Sequence, residues 1–126
     1  MVPTDLRYTN EHLWLRPEEG GKGRVGITFY GQEQLKKIVF VDLPTVGTMV
    51  EQLQPFGSIE SRKAVVDLYS PVSGTVVEVN QLIQAEPDWV NQEPYGKGWM
   101  MVVALSNPGE VDSLLTAEKY LALTTH

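Results

Sequence analysis

A chain of 126 residues, 42% hydrophobic and 21% charged, has the size and composition of one soluble globular domain spanning residues 1–126. It has no cysteine, which excludes disulfides, thiolate metal sites and cysteine nucleophiles, so redox chemistry would need an attached group. A balance of 10 basic against 16 acidic residues, net charge -6, argues against nucleic acid and suits either solubility alone or steering toward basic patches on protein partners.

In chain order, residues 24–28 are rich in β-branched side chains and predict a strand. Residues 30–37 carry Gln, Glu, Leu and Lys and predict a short helix. Strands follow at 38–43 and 75–79, and the stretch 80–91 reads as a helical excursion interrupted by Pro87. A further strand covers 100–105. A C-terminal helix is then expected, capped by Asn107, with Pro108 first and Glu110 third, reaching Glu118 and Lys119 in its last turn. Val111, Leu114 and Leu115 would share its packed face. Short strands broken by Gly and Pro predict a small barrel or sandwich. No uncharged stretch, residues 98–107 included, is long enough to span a bilayer, and no basic region with an apolar run opens the chain. A cytoplasmic location away from membranes is the expectation.

The most informative stretch is residues 56–71, where apolar runs flank the polar centre Glu60-Ser61-Arg62-Lys63. It reads as two strands with Lys63 near the tip. Val46-Gly47-Thr48-Met49-Val50 before it and Ser73-Gly74-Thr75-Val76-Val77 after it suggest two similar halves folded around a hairpin. A carried group must visit several active sites, so its anchor should project into solvent. Lysine offers a long stem and an amine able to form a stable amide. By pattern alone a solvated turn lysine is the commoner reading.

The local words narrow this. Tyr8-Thr9-Asn10-Glu11-His12-Leu13-Trp14, Val25-Gly26-Ile27-Thr28 and Val39-Phe40-Val41-Asp42-Leu43-Pro44 resemble, in order and spacing, the H-protein family of the glycine cleavage system. So do Glu60-Ser61-Arg62-Lys63-Ala64, Asp67-Leu68-Tyr69-Ser70-Pro71-Val72-Ser73-Gly74 and Asn91-Gln92-Glu93-Pro94-Tyr95-Gly96-Lys97-Gly98-Trp99. The likeness runs from about residue 8 to 120.

The resemblance implies a mainly β, barrel-sandwich hybrid fold: two small antiparallel sheets, short helices and a C-terminal helix. It implies lipoic acid attached by an amide to Lys63, placed there by a lipoate ligase or octanoyltransferase. The partners it implies are a pyridoxal-phosphate glycine decarboxylase that loads an aminomethyl group, a folate aminomethyltransferase that removes it, and the flavin enzyme dihydrolipoamide dehydrogenase. The chain would be a monomeric carrier with no catalytic residue of its own. Biotinyl domains usually flank their lysine with methionine, whereas Arg62 and Ala64 stand here. Acyltransferase lipoyl domains lack the opening phrase and the C-terminal helix.

Several positions depart from the family pattern. Leu13 follows His12 where a glutamate is usual, Phe29 replaces an acid, Arg62 replaces a valine, and Val65 and Val66 replace small or polar residues. An aminomethyl load ends in a cationic amine that prefers a carboxylate neighbour. With Leu13 unable to serve, Glu11, Glu60 and Asp67 are the acids expected near the arm, together with His12, Leu13, Phe29 and Arg62 as its surroundings. Two readings stay open at this stage: drift at tolerant positions, or a less cationic cargo. An H-like lipoate-binding protein serving a sulfur-oxidising, heterodisulfide-reductase-like complex fits the second, with Arg62 meeting an anionic sulfur species or an acidic partner.

His12 and His126 are the only histidines, and without cysteine they make a zinc site improbable. His126 is expected to be a disordered terminal residue and His12 a structural or cleft residue. Trp89 and Trp99 are expected to pack. No serine sits in a nucleophile elbow and no glycine run forms a phosphate loop.

Overall fold

The computed structural model describes residues 2–124; His126 lies outside them. Strands β1 (Arg7–Tyr8), β2 (Leu13–Glu18) and β3 (Lys22–Ile27) lead into helix α1 (Phe29–Leu35) and strand β4 (Ile38–Asp42). Strands β5 (Met49–Val50), β6 (Pro55–Ser61), β7 (Val65–Tyr69) and β8 (Gly74–Val79) follow. Two short helices, α2 (Gln81–Ala85) and α3 (Asp88–Gln92), precede strand β9 (Met101–Leu105), and helix α4 (Ala117–Thr124) closes the described chain. One sheet runs β1-β2-β3-β9-β8-β5 and the other β4-β6-β7. Their pairings are antiparallel, as expected.

Strand alternation explains how the sheets meet. In β4 and β6, Val41 and Ile59 are register partners and both are buried, while Phe40 and its partner Glu60 face out. The inward residues join Leu13, Leu15, Val25, Val76 and Val103 of the larger sheet in one core. The two glycine-marked phrases flanking the hairpin lie side by side, because β5 pairs with β8 (Val50 opposite Gly74). At Gly74 a Cβ would sit 2.1 Å from the Ala104 carbonyl oxygen, so only glycine allows β8 to approach β9 there.

The helices correct the expectations in detail. The 80–91 excursion is two helices, with Asn80 capping α2 by accepting from the Leu82 amide and Pro87 standing at the start of α3. The single C-terminal helix is instead a 3-10 turn, Pro108–Ser113, followed by α4. Asn107 stands at the N-cap of that turn, its carbonyl accepting from the Glu110 amide at 3.0 Å, but its side chain makes no capping hydrogen bond. Glu110 turns away to accept from the Ser73 amide at 2.7 Å and the Ser73 hydroxyl at 2.9 Å. Leu115 exchanges backbone hydrogen bonds with Tyr8, and a β-bridge there interrupts helical geometry.

α4 packs on a second cluster, where Tyr8, Trp14, Ala117 and Tyr120 are buried together beside the outer edge of the larger sheet. Trp14 donates its indole N–H to the Pro94 carbonyl at 3.0 Å. Trp89 and Trp99 pack as expected, each with a cation over its ring: Lys97 at 4.6 Å and Arg24 at 4.3 Å. Among the described residues no helix is long and apolar enough to cross a membrane.

Candidate functional site

β6 and β7 pair from Pro55 opposite Tyr69 to Glu60 opposite Val65, which leaves Arg62, Lys63 and Ala64 as the turn. Ser61 locks that turn. Its amide donates to the Ala64 carbonyl at 2.8 Å, and its hydroxyl donates to the same oxygen at 3.2 Å. The hydroxyl also accepts from the amides of Lys63 and Ala64, each at 3.1 Å. The Ser61 side chain is buried while Arg62, Lys63 and Ala64 are exposed, so a fixed base presents a free lysine. Among the described residues, the Lys63 ammonium makes one long contact, 3.4 Å to the Gln34 carbonyl at the end of α1.

α1 is held at both ends. Thr28 caps its start, its hydroxyl accepting from the Gly31 amide at 3.0 Å. Beyond its last turn, Asn91 donates to the Lys36 carbonyl at 2.7 Å and to the Gln32 side chain at 2.8 Å, and accepts from the Ile38 amide at 3.0 Å. The next carbonyl, that of Lys37, receives the Arg62 amide at 3.4 Å. Asn91 therefore fixes the support on which the hairpin tip rests.

Between α1 and β7 lies a groove of about 310 Å³. Tyr30, Gly31, Gln34 and Leu35 form one wall, Val66, Asp67 and Leu68 the other, and Glu11, His12 and Ile27 complete it. A Cβ on Gly31 would come within 2.8 Å of Ile27 and 3.0 Å of His12, so glycine lets α1 sit directly on them. His12 holds a left-handed φ of 69°, stabilised by the Thr28 amide donating to its carbonyl at 2.8 Å. Burial pushes the His12 imidazole below its ordinary value, with Glu11 opposing. A larger open depression of about 830 Å³ is lined by Met49, Gln52, Ser73 and Glu110, none of them in the lysine hairpin.

The profile of the Glycine cleavage H-protein family matches residues 6–126. The chain belongs to the glycine cleavage H-protein family. A Glycine cleavage system H protein of Geobacillus kaustophilus is 54% identical over 122 residues, covering 97% of this chain and 95% of that protein. Those of Symbiobacterium thermophilum and Bacillus subtilis are 52% and 50% identical over 123 residues each, covering 98% of this chain and 95% and 96% of theirs. A crystal structure of the H protein from Mycobacterium marinum superposes with a TM-score of 0.91 at 38% identity, covering 99% of this chain and all of that one. The fold is therefore the lipoyl-domain-like one expected, and the family supports a lipoyl carrier. The sulfur-cargo alternative finds no support in these relatives.

The expected surroundings of the arm divide. Glu11, His12 and Asp67 line the groove, and Lys63 touches its wall through Gln34. Leu13 does not line it: the side chain is 1% exposed and belongs to the core, opposite Ile27 in register. The backbone decides this: His12 stands just before β2 with a left-handed φ of 69°, and the chain enters the strand only at Leu13. Phe29 stands 49% exposed at the start of α1, and its amide donates to the Tyr95 hydroxyl at 3.0 Å. Glu60 lies on the outer sheet face between Phe40 and Val65, and Arg62 is exposed at the tip, its amide donating to the Lys37 carbonyl. Ser61, Gln34, Tyr30 and Asn91 were not singled out from the sequence. Ser61 alone carried a local signal, a serine two residues before a turn lysine.

Proposed function

We propose that Lys63 is the lipoylated residue and that the chain, one carrier domain over residues 1–126, presents that arm to the glycine cleavage enzymes without catalysing a step itself. The observation that carries this reading is the tip geometry: an exposed primary amine on a turn fixed by four hydrogen bonds, beside a groove that two carboxylates line. When bound, the lipoyl dithiolane supplies the chemistry of taking up an aminomethyl group, giving it up to a folate enzyme, and returning reducing equivalents to dihydrolipoamide dehydrogenase.

The residues present fit such a group. The Lys63 stem is in solvent and its one contact is long enough to be surrendered without loss to the fold. Ile27, Leu35, Val66 and Leu68 give the groove an apolar component, suited to the hydrocarbon part of an acyl arm. Glu11 and Asp67 are both exposed carboxylates and would attract the ammonium end of an aminomethyl load. An exposed pair of this kind contributes about 1 kcal/mol or less. That is enough to favour docking and weak enough for the arm to leave for a partner.

Attachment requires a lipoate ligase or octanoyltransferase to join a carboxyl group to the Lys63 amine. We read the carrier as a cytoplasmic monomer. Intact-mass spectrometry after incubation with lipoate ligase, ATP and lipoate tests the assignment. Wild-type chain should gain one lipoyl group and Lys63→Arg none; a Lys63→Arg chain that is still modified, or an unmodified wild type, overturns it.

A further inference from the structure

His12 stands in the groove wall yet is tied to the interior by one atom. Its Nδ1 lies 2.7 Å from the Tyr120 hydroxyl, which lies 2.8 Å from Thr28 Oγ1. Tyr120 comes from α4, 108 residues further along the chain, and is fully buried. Its ring stacks on Tyr8 with centroids 4.8 Å apart. One hydroxyl thus joins the C-terminal helix to the His12 loop and to the residue that caps α1.

Counting protons gives this chain a direction. Thr28 is 0% exposed, and its oxygen already accepts from the Gly31 amide. Among the described residues, the acceptor within reach of its own proton is the Tyr120 oxygen. Thr28 therefore donates to Tyr120, and Tyr120 donates to His12 Nδ1. A neutral imidazole that accepts at Nδ1 carries its proton on Nε2. Nε2 has no protein partner among the described residues, and no buried side-chain nitrogen or oxygen there lacks one, so Nε2 is open to solvent. Protonating Nδ1 would force Tyr120 to turn its proton toward Thr28, leaving a buried hydroxyl proton without an acceptor.

We propose that Tyr120 is a positioning residue of the groove. Its hydroxyl locks His12 as the neutral Nε2–H imidazole, so that Glu11 and Asp67 meet a cationic load without a competing cation beside them. This inference rests on the carrier reading above. The titratable groups around the ring are Glu11 on its own loop, Tyr30 on α1 with ring centroids 4.8 Å apart, Asp67 on β7, and Tyr120 on α4. Burial of the ring acts in the same direction as the hydrogen-bond chain, and Glu11 opposes both. Burial also pushes the Tyr120 phenol up to about 12, so it keeps the proton it donates across the physiological range.

The test uses the unmodified chain, so it does not depend on lipoylation. Imidazole ¹⁵N–¹H correlation spectra across a pH series read the tautomer directly, with His126→Ala separating the second histidine. Wild type should show His12 with Nδ1 bare and Nε2 protonated. Tyr120→Phe keeps the stack on Tyr8 but removes the donor; it should show mixed tautomers and a titration midpoint shifted upward. Thr28→Ser in the wild-type background retains the hydroxyl that faces Tyr120 and should leave the wild-type spectrum unchanged. A wild-type Nδ1–H tautomer overturns the proposal and needs no variant; so does a Tyr120→Phe spectrum indistinguishable from wild type. In the lipoylated, aminomethyl-loaded protein, Tyr120→Phe should release its load several times faster than wild type at about pH 6 but not at about pH 8. Equal release at both values refutes the role in charge control while leaving the Lys63 assignment standing.

Discussion

Ser61 and Leu13 show how much of the site depends on where single side chains point. Ser61 completes the tip turn with a buried hydroxyl that serves two amides and one carbonyl. Ser61→Ala should destabilise the chain by about 1–2 kcal/mol, measured by urea unfolding, and should slow lipoylation by loosening the lysine's base. Leu13 is a core residue, so Leu13→Ala should cost about 2–5 kcal/mol in the same measurement while leaving the groove's charged lining in place. A mild loss below about 1 kcal/mol would mean that Leu13 does not pack as the structure has it. Sequence reading put Lys63 near a hairpin tip, where the structure has it, because the apolar runs on both sides are local. It put Leu13 beside the arm because neighbours in sequence need not face the same way: His12, at a left-handed φ just before β2, lines the groove, and Leu13, the first strand residue, packs in the core. Tyr120 was invisible from the sequence, since its link to His12 spans 108 residues.

At the level of elements, the strands from β3 onward were mostly legible, and β1, β2 and the helix ends were not. Runs rich in β-branched residues marked β3, β4, β8 and β9, whereas β2 was not read from the sequence and the two-residue strands β1 and β5 exist through their partners. The C-terminal segment carried good local helix signals at Asn107, Pro108 and Glu110, but Glu110 found a better partner in Ser73 and Leu115 in Tyr8. Tertiary contacts won over propensity there. α1 is the element the site depends on most, and Asn91 is its anchor. Asn91→Ala removes three hydrogen bonds at once and should cost about 2–3 kcal/mol. Amide exchange should then accelerate in α1 and at the hairpin tip more than in β2 or β3. Uniform acceleration across the chain would mean that Asn91 supports the fold at large and not this junction.

For the molecule as a whole, buried titratable groups bound the pH range of stability. His12 has a folded value below the ordinary 6.5, so below that point the unfolded state binds the extra proton. Stability should therefore fall as pH drops through 6.5, and His12→Gln should flatten that part of a urea-midpoint series. At the alkaline end the sign reverses. Tyr120 is pushed up from 10.0 to about 12 by burial, so its stabilising contribution is complete below 10 and is lost as pH rises toward 12. Net charge left solubility and protein partners equally open; the family membership supplied the partners. The central claim is that Lys63 carries the arm that glycine decarboxylase loads. Its most direct measurement is glycine–bicarbonate exchange catalysed by glycine decarboxylase with this chain as the carrier. The lipoylated wild type should support exchange, and the Lys63→Arg chain put through the same lipoylation reaction should not; exchange that persists in Lys63→Arg, or that lipoylated wild type cannot support, would contradict the account.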